Sequence, residues 1–225
     1  MYKITFLALI FSTYSYAIDN YEAEYRFKSS QIDIKGVRQL MVNEEGESSL
    51  TFKAKSTLAR LYFKTVFSIQ ADAVNTKSYE IEVKPGFVNR DQEILIDTNS
   101  NQMSSKGRDE WILKAPMIPV VDPLNAQIQI RIMILNGFKE FKLNLLEIKN
   151  GSVESNDYKV TSENKICNVG ETEYSCIEVT RLRESEDRKT TYLMAKELDY
   201  MFVEIKDVNP NRTNTLTLEK ILSLG

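Results

Sequence analysis

The chain has 225 residues, with 29 lysines and arginines against 32 aspartates and glutamates, a net charge of −3 at pH 7, and no histidine. This mildly acidic balance excludes the basic footprint of a protein that binds nucleic acid or an anionic membrane surface. Without histidine, the Ser-His and Cys-His nucleophile arrangements and the commonest metal ligand are also excluded. The length fits one domain, which can bury a core without metal or many disulfides.

Residues 1–17 have the three regions of a secretory signal peptide. Lys3 is positively charged, an apolar run follows it, and residues 15–17 (SYA) form a small-x-small cleavage site. The apolar run is too short to span a bilayer, so a buried first strand is the main alternative. We therefore predict cleavage after Ala17, export, and a single domain over residues 18–225 without a transmembrane segment.

Most of the remaining chain has the pattern of β-strands. In residues 21–28 (YEAEYRFK), tyrosine, alanine and phenylalanine alternate with charged residues, so one face is apolar and the other polar. Similar patterns predict strands at 32–42, 49–56, 61–73, 78–85, 87–97, 110–114, 138–150, 157–166, 174–184, 189–197, 200–208 and 215–222. A sheet of about ten or more twisted strands tends to curl or close. We predict a mainly β protein with a large curled antiparallel sheet or half-open barrel.

Segment 122–137 (DPLNAQIQIRIMILNG) is the one long helix candidate, and its pattern is ambiguous. Its ends favour a helix, because Asp122 can act as the helix cap, Pro123 fits the first helical position and the Asn-Gly pair can close the last turn. An apolar stripe that begins at Leu124 also fits helical spacing. The interior favours a strand, because four isoleucines alternate with more polar residues. Periodicity alone leaves both interpretations open.

The chain has two cysteines, Cys167 and Cys176, with strand-like residues beside both. An even number of cysteines together with an export signal predicts a disulfide that joins the two strands of a hairpin. Two free thiols, a redox pair or a metal pair are the alternatives, although the spacing is not CxxC and a zinc site without histidine would need carboxylates.

Two arginines are candidate ligand-binding residues. Arg131 lies among apolar residues, where an unpaired charge is costly, so it must pair or reach water. It either forms a structural ion pair with a carboxylate on the sheet or lies at the mouth of an apolar cavity, where it holds an anionic headgroup. Arg181 and Arg183 share one face of a strand, and the same two interpretations apply to them.

The sequence lacks the common catalytic and nucleotide-binding motifs. It contains no GxSxG, GxGxxG or Walker-type glycine loop. Ser105 and Lys106 are adjacent, but neighbouring residues of a strand point to opposite faces, which argues against a Ser-Lys dyad. We therefore expect a protein that is not an enzyme, with no cofactor and no metal.

Four segments carry a resemblance to a known family: YEAEYRF (21–27), VKPGF (83–87), DPLNAQIQIR (122–131) and VTRLRESEDRKTTYLMAKELDYMFVEI (179–205). With these, the chain resembles the exported bacterial proteins grouped as the domain of unknown function 3108 family. The resemblance implies a periplasmic protein with a fold similar to the half-open barrels of lipoprotein carriers. It also implies a central helix at about 122–136, but no reaction, substrate or catalytic residue.

Two functional hypotheses follow. In the first, a non-enzymatic periplasmic protein holds a lipid-like or other apolar ligand in the concave face of its curved sheet. In the second, the core is filled, and the protein is a structural or protein-interaction module of the cell envelope. The partners predicted are accordingly a lipid or an envelope protein.

Overall fold

One antiparallel sheet dominates the described part of the chain. The computed structural model describes residues 18–43, 47–57, 59–84, 90–182 and 187–225. The predicted signal peptide, residues 1–17, and Arg183 therefore lie outside the described residues. Within these ranges the sheet has fourteen strands. They are β1 Tyr21–Lys28, β2 Asp33–Val42, β3 Ser48–Lys55, β4 Arg60–Gln70, β5 Ala73–Lys84, β6 Gln92–Asp97, β7 Gln102–Gly107, β8 Trp111–Lys114, β9 Glu140–Leu146, β10 Val153–Val169, β11 Thr172–Leu182, β12 Lys189–Ala195, β13 Met201–Asn209 and β14 Arg212–Leu224.

The strand order places the first and the last strand, β1 and β14, together at the centre of the sheet. It runs β8-β7-β6-β5-β4-β3-β2-β1-β14-β13-β12-β11-β10-β9, and all neighbours are antiparallel. Each half of the sheet is a meander in which consecutive strands pair. The prediction of a large antiparallel sheet is confirmed.

The sheet curls until its two edge strands approach each other, but it does not close. The indole Nε1 of Trp111, in edge strand β8, donates a hydrogen bond of 3.0 Å to the carbonyl of Ile148, which follows edge strand β9. The amide of Gln92 donates to the same carbonyl at 3.0 Å. The described strands β8 and β9 form no ladder with each other, so the sheet is an open, barrel-like form.

The ambiguous central segment is a helix, α1 (Ala126–Leu135), shorter than the predicted 122–136. Its four isoleucines are all buried. A helix enclosed on most sides carries apolar residues all around it, and this explains the strand-like alternation. At its end, the N–H of Gly137 bonds Ile134 and that of Phe138 bonds Met133, the two bonds of a Schellman motif. Gly137 has a φ of +82°, which glycine adopts without strain.

The sequence patterns do not predict strand β7. Its sequence, QMSSKG, places a polar side chain, Ser105, on the buried face beside Met103. The amide of Gln92 donates a hydrogen bond of 2.8 Å to the Ser105 hydroxyl, so the polar group is satisfied in the interior. Strand β7 therefore has one buried face without the alternation of apolar and polar residues by which a strand is predicted.

Candidate functional site: a cavity in the concave face

A cavity of about 700 Å³ lies between the concave face of the sheet and the start of residues 122–137, which we call the helix segment because they contain α1. Most of its walls are apolar side chains from β1, β3, β4, β5, β13 and β14, from Ile32 and Ala59 between strands, and from the helix segment. Among the described residues that line it are Phe27, Ile32, Arg38, Phe52, Ala59, Leu61, Phe63, Tyr79, Ile81, Val83, Leu124, Gln127, Ile205 and Leu216. The exposed residues on its lining mark where it opens to solvent, and they are mostly charged: Gln31, Lys84, Arg90, Arg108, Glu147 and Lys149.

A β-bulge allows strand β5 to anchor the helix with one half and line the cavity with the other. The register between β4 and β5 shifts between Val66 and Phe67, because Phe67 faces Thr76 and Val66 faces Ser78. An extra residue reverses the alternation of the faces. Thr76 therefore points inward beneath the helix segment, and Tyr79 and Ile81 also line the inside.

A buried polar cluster holds the start of the helix segment to β4 and β5. One oxygen of Asp122 accepts a hydrogen bond of 2.5 Å from the Thr65 hydroxyl. The amide of Asn125 donates to the hydroxyls of Thr65 and Thr76 at 3.0 and 2.9 Å. Asp122, Asn125 and Thr65 are all fully buried. These hydrogen bonds hold the helix segment beside the cavity, and they satisfy the buried polar atoms of Asp122, Asn125 and Thr65.

Asp122 does not occupy the position predicted for it. The helix begins at Ala126, and its N-cap position is Asn125, which makes no capping bond with its side chain. Asp122 lies three residues earlier, where its other oxygen accepts the N–H groups of Leu124 and Asn125 at 2.7 and 3.0 Å. It therefore organises the turn that leads into the helix. Burial raises the pKa of Asp122 to about 6, and the hydrogen bonds from Thr65, Asn125 and Leu124 oppose that rise.

Among the described residues that line the cavity, one charged side chain is fully buried: Arg38, which the sequence interpretation missed. Arg38 is 1% exposed and lies on the concave face of β2, opposite Ala23 and Phe52 in the neighbouring strands. Its guanidinium lies over the ring of Tyr25, 5.6 Å from the ring centre. None of its three nitrogens has a hydrogen-bond partner. The signal in the sequence was a charged residue on the apolar face of β2, in alternation with Ile34 and Leu40.

Arg131, a predicted ligand-binding residue, lies elsewhere. It is 4% exposed on α1, and its Nε donates a hydrogen bond of 3.1 Å to the carbonyl of Asp199. Its guanidinium lies over the ring of Tyr21 at 5.8 Å. Burial lowers the pKa of Arg131 from its usual value. Arg131 lines a separate hollow of about 220 Å³ near the end of the chain, so the structure does not place it in the large cavity.

Arg181, the other predicted ligand-binding residue, is held by a side chain on the neighbouring strand. Its Nε and Nη2 donate hydrogen bonds to the Asn156 amide oxygen at 2.9 and 2.5 Å. It is not among the described residues that line the cavity. The two arginines singled out from the sequence are therefore not brought together.

The cysteines form the predicted disulfide. Cys167 in β10 and Cys176 in β11 are bonded, with 6.0 Å between their α carbons. The bond joins neighbouring strands of one hairpin, as the sequence indicated. Neither cysteine lines the cavity.

The catalytic dyad and the metal site considered from the sequence can be compared with the described residues. Ser105 is buried and bonded by Gln92, whereas Lys106 is exposed, which is the opposite-face arrangement expected of neighbours in a strand. The described side chains contain no group of three or more Asp, Glu or Cys placed to hold a metal ion. No described helix has the length and apolar character needed to cross a membrane.

A second surface hollow, of about 500 Å³, lies on the convex side of strands β3 to β5. Most of the residues that line it are charged or polar, including Lys53, Arg60, Glu80 and Glu82. Charged and polar walls of this kind are readily hydrated, whereas the concave cavity has the mainly apolar walls that are typical of small-molecule sites. The concave cavity is therefore the candidate site.

Comparison with known proteins supports the fold. No family model matches the sequence, and no curated protein matches it either. Among solved structures, the chain is similar to a beta-barrel-like protein of domain of unknown function 1849 from Brucella abortus, with a TM-score of 0.56 and 10% identity. The similarity covers 91% of this chain and 97% of the other. It shows a shared barrel-like architecture, while the resemblance to the 3108 family stays a prediction.

Proposed function

We propose that this protein is a non-enzymatic binding protein of the bacterial periplasm that holds a lipid-like or other apolar ligand in its concave cavity. The observation that carries the proposal is the cavity of about 700 Å³ with mainly apolar walls. Pockets that bind small molecules have volumes of about 300–1,000 Å³ and are lined by apolar and aromatic side chains with a few polar groups. The cavity favours ligand binding over the alternative of a structural module with a filled core.

Substitution of one wall residue tests the proposal. The side chain of Ile81 lines the cavity, and its neighbour Glu80 lines the hollow on the convex side of the same strand. We expect that the wild-type protein binds an apolar dye whose fluorescence increases in an apolar environment, and that Ile81→Trp weakens this binding about tenfold by filling the cavity. Glu80→Trp, the matched control, should retain the wild-type affinity.

The result is read by dye titration, with unfolding curves to confirm that both variants are folded. Native mass spectrometry of wild-type protein purified from its source compartment should also show a bound small molecule. A wild-type protein that binds no dye and carries no ligand would contradict the proposal, as would equal affinity in Ile81→Trp and Glu80→Trp.

The proposed compartment has its own test. A disulfide is typical of an oxidising compartment such as the periplasm, and the Cys167–Cys176 bond supports this placement. We expect the protein in the periplasmic fraction of its source bacterium to begin at Ile18, after loss of residues 1–17. N-terminal sequencing measures this, and a chain that retains Lys3 in the cytoplasmic fraction would count against export.

A further inference from the structure

The charge of Arg38 is the least compensated feature of the cavity. The side chain is 1% exposed, lines the cavity, and has no hydrogen-bond partner for any of its three guanidinium nitrogens. Tyr25, whose ring lies beneath the guanidinium, donates its own hydroxyl to the carbonyl of Phe202. No carboxylate among the described residues pairs with Arg38.

Burial of an unpaired charge is energetically unfavourable. An arginine remains protonated in proteins, so it cannot lose its charge as a buried lysine or carboxyl group can. The face of an aromatic ring compensates a cation only in part. An unpaired buried charge therefore strongly favours any anion that can reach it.

A second polar atom on the same cavity also lacks a partner. The side-chain oxygen of Gln127 is buried without a hydrogen bond, and Gln127 lines the cavity with Arg38. The remaining walls are mainly apolar. A ligand with one polar end and one apolar end would satisfy both kinds of surface.

We propose that the cavity binds an amphiphile with an anionic headgroup, a carboxylate or a phosphate monoester, whose head is held by the Arg38 guanidinium and whose chain lies against the apolar walls. This inference rests on the proposed function and adds the chemical class of the ligand. The planar guanidinium can donate two parallel hydrogen bonds to either headgroup, which a neutral alcohol cannot accept in the same way.

The experiment compares single-chain ligands that differ only in the headgroup. Dodecanoate, dodecyl phosphate and dodecan-1-ol are titrated against the mature protein by displacement of the apolar dye. A hydrogen bond to a charged group changes affinity by about tenfold or more, so we expect both anions to bind at least about tenfold more tightly than the alcohol. The tighter of the two anions identifies the headgroup type.

Three variants connect that preference to Arg38. Arg38→Met should bring the anions to within about twofold of the alcohol and leave alcohol binding unchanged. Arg38→Lys keeps the charge without the planar fork and should show an intermediate preference. Arg26→Met removes an arginine from the exposed face of β1, where it pairs with Asp33, and should keep the wild-type preference.

Stability gives a second readout. Ligand-free Arg38→Met should unfold at a temperature no lower than that of the wild type, because it removes a buried charge without a partner. A wild type that binds the alcohol as tightly as the anions, or an anion preference that survives in Arg38→Met, would overturn this inference and leave the proposed function intact. Failure of all three ligands and the dye to bind would overturn the proposed function itself.

Discussion

Three buried charged side chains show how differently one interior can accommodate charge. Asp122 is surrounded by hydroxyl donors and backbone N–H donors. Arg131 has a backbone carbonyl and an aromatic ring as partners. Arg38 has an aromatic ring and an open cavity. The bonds of Asp122 and Arg131 attach the helix segment to its surroundings, whereas we propose that an anionic ligand compensates Arg38.

Asp122 makes stability depend on pH in a particular direction. Its pKa is raised to about 6 in the folded protein, whereas an unfolded chain has an aspartate pKa of about 3.9. Between about pH 4 and pH 6, the folded state holds a proton that the unfolded state has released, so stability from this group is lost as the pH rises. We expect the free energy of unfolding of the wild type to fall relative to Asp122→Asn by roughly 2 kcal/mol over this window.

Urea unfolding of both proteins at several pH values measures that difference. Asp97→Asn is the control, because hydrogen bonds from Ser100 and the nearby backbone lower the pKa of Asp97 and place its titration below the window. Its difference from the wild type should stay nearly constant between about pH 4 and pH 6. A constant difference for Asp122→Asn as well would show that Asp122 has an ordinary pKa.

At the scale of elements, local patterns predicted those strands that alternate between apolar and charged residues, such as β1. They failed at β7, where the buried Ser105 accepts a hydrogen bond from Gln92 of the neighbouring strand β6, a partner that local sequence does not reveal. The helix start was predicted four residues early, because Asp122 organises a turn that precedes α1. Its closing glycine was identified correctly, since a left-handed residue after a helix is a local requirement.

We expect the disulfide of the β10–β11 hairpin to stabilise the protein without affecting the cavity. Cys167 and Cys176 are separated by 9 positions in sequence and lie away from the cavity lining. Closure of such a short loop contributes about 2–3 kcal/mol in the chain-entropy account. We expect Cys167→Ser/Cys176→Ser to lose about that amount of unfolding free energy and to bind the apolar dye with wild-type affinity.

Denaturant titration and dye titration of the double variant are the measurements. Wild type treated with a reducing agent should behave like the variant. A large loss of dye binding in a folded double variant would mean that the hairpin shapes the cavity.

At the scale of the whole molecule, residues from the two edges of the sheet are in contact where the edges approach each other. Gly151 has a φ of +71°, and an added Cβ would lie 2.7 Å from the Leu113 side chain and 2.9 Å from the ring of Trp111. We expect Gly151→Val to displace Trp111 from its bond with Ile148 and to destabilise the protein by about 2 kcal/mol, since a non-glycine residue at positive φ costs about 1–3 kcal/mol.

Trp111 is the single tryptophan of the chain, so its fluorescence reports on this contact directly. Its emission should shift to longer wavelength in Gly151→Val as the indole becomes more hydrated. Gly137→Val is the matched control, because Gly137 also has a positive φ but no described atom lies within 4 Å of its added Cβ. That variant should lose stability and keep the wild-type emission; an unchanged emission in Gly151→Val would contradict the edge contact.

The sequence by itself determined the features that depend on neighbouring residues: the alternation of strand faces, the end of the helix and the pairing of two cysteines in one hairpin. The tertiary structure alone decided which inward side chains line a cavity and which lie under the helix. The curl brings together strands that are far apart in the chain, so Arg38 of β2 lies in the same cavity as Gln127 of the helix and Leu216 of β14. For the same reason Arg131, the more conspicuous arginine in the sequence, bonds the backbone of Asp199, whereas Arg38 faces the space that is left open.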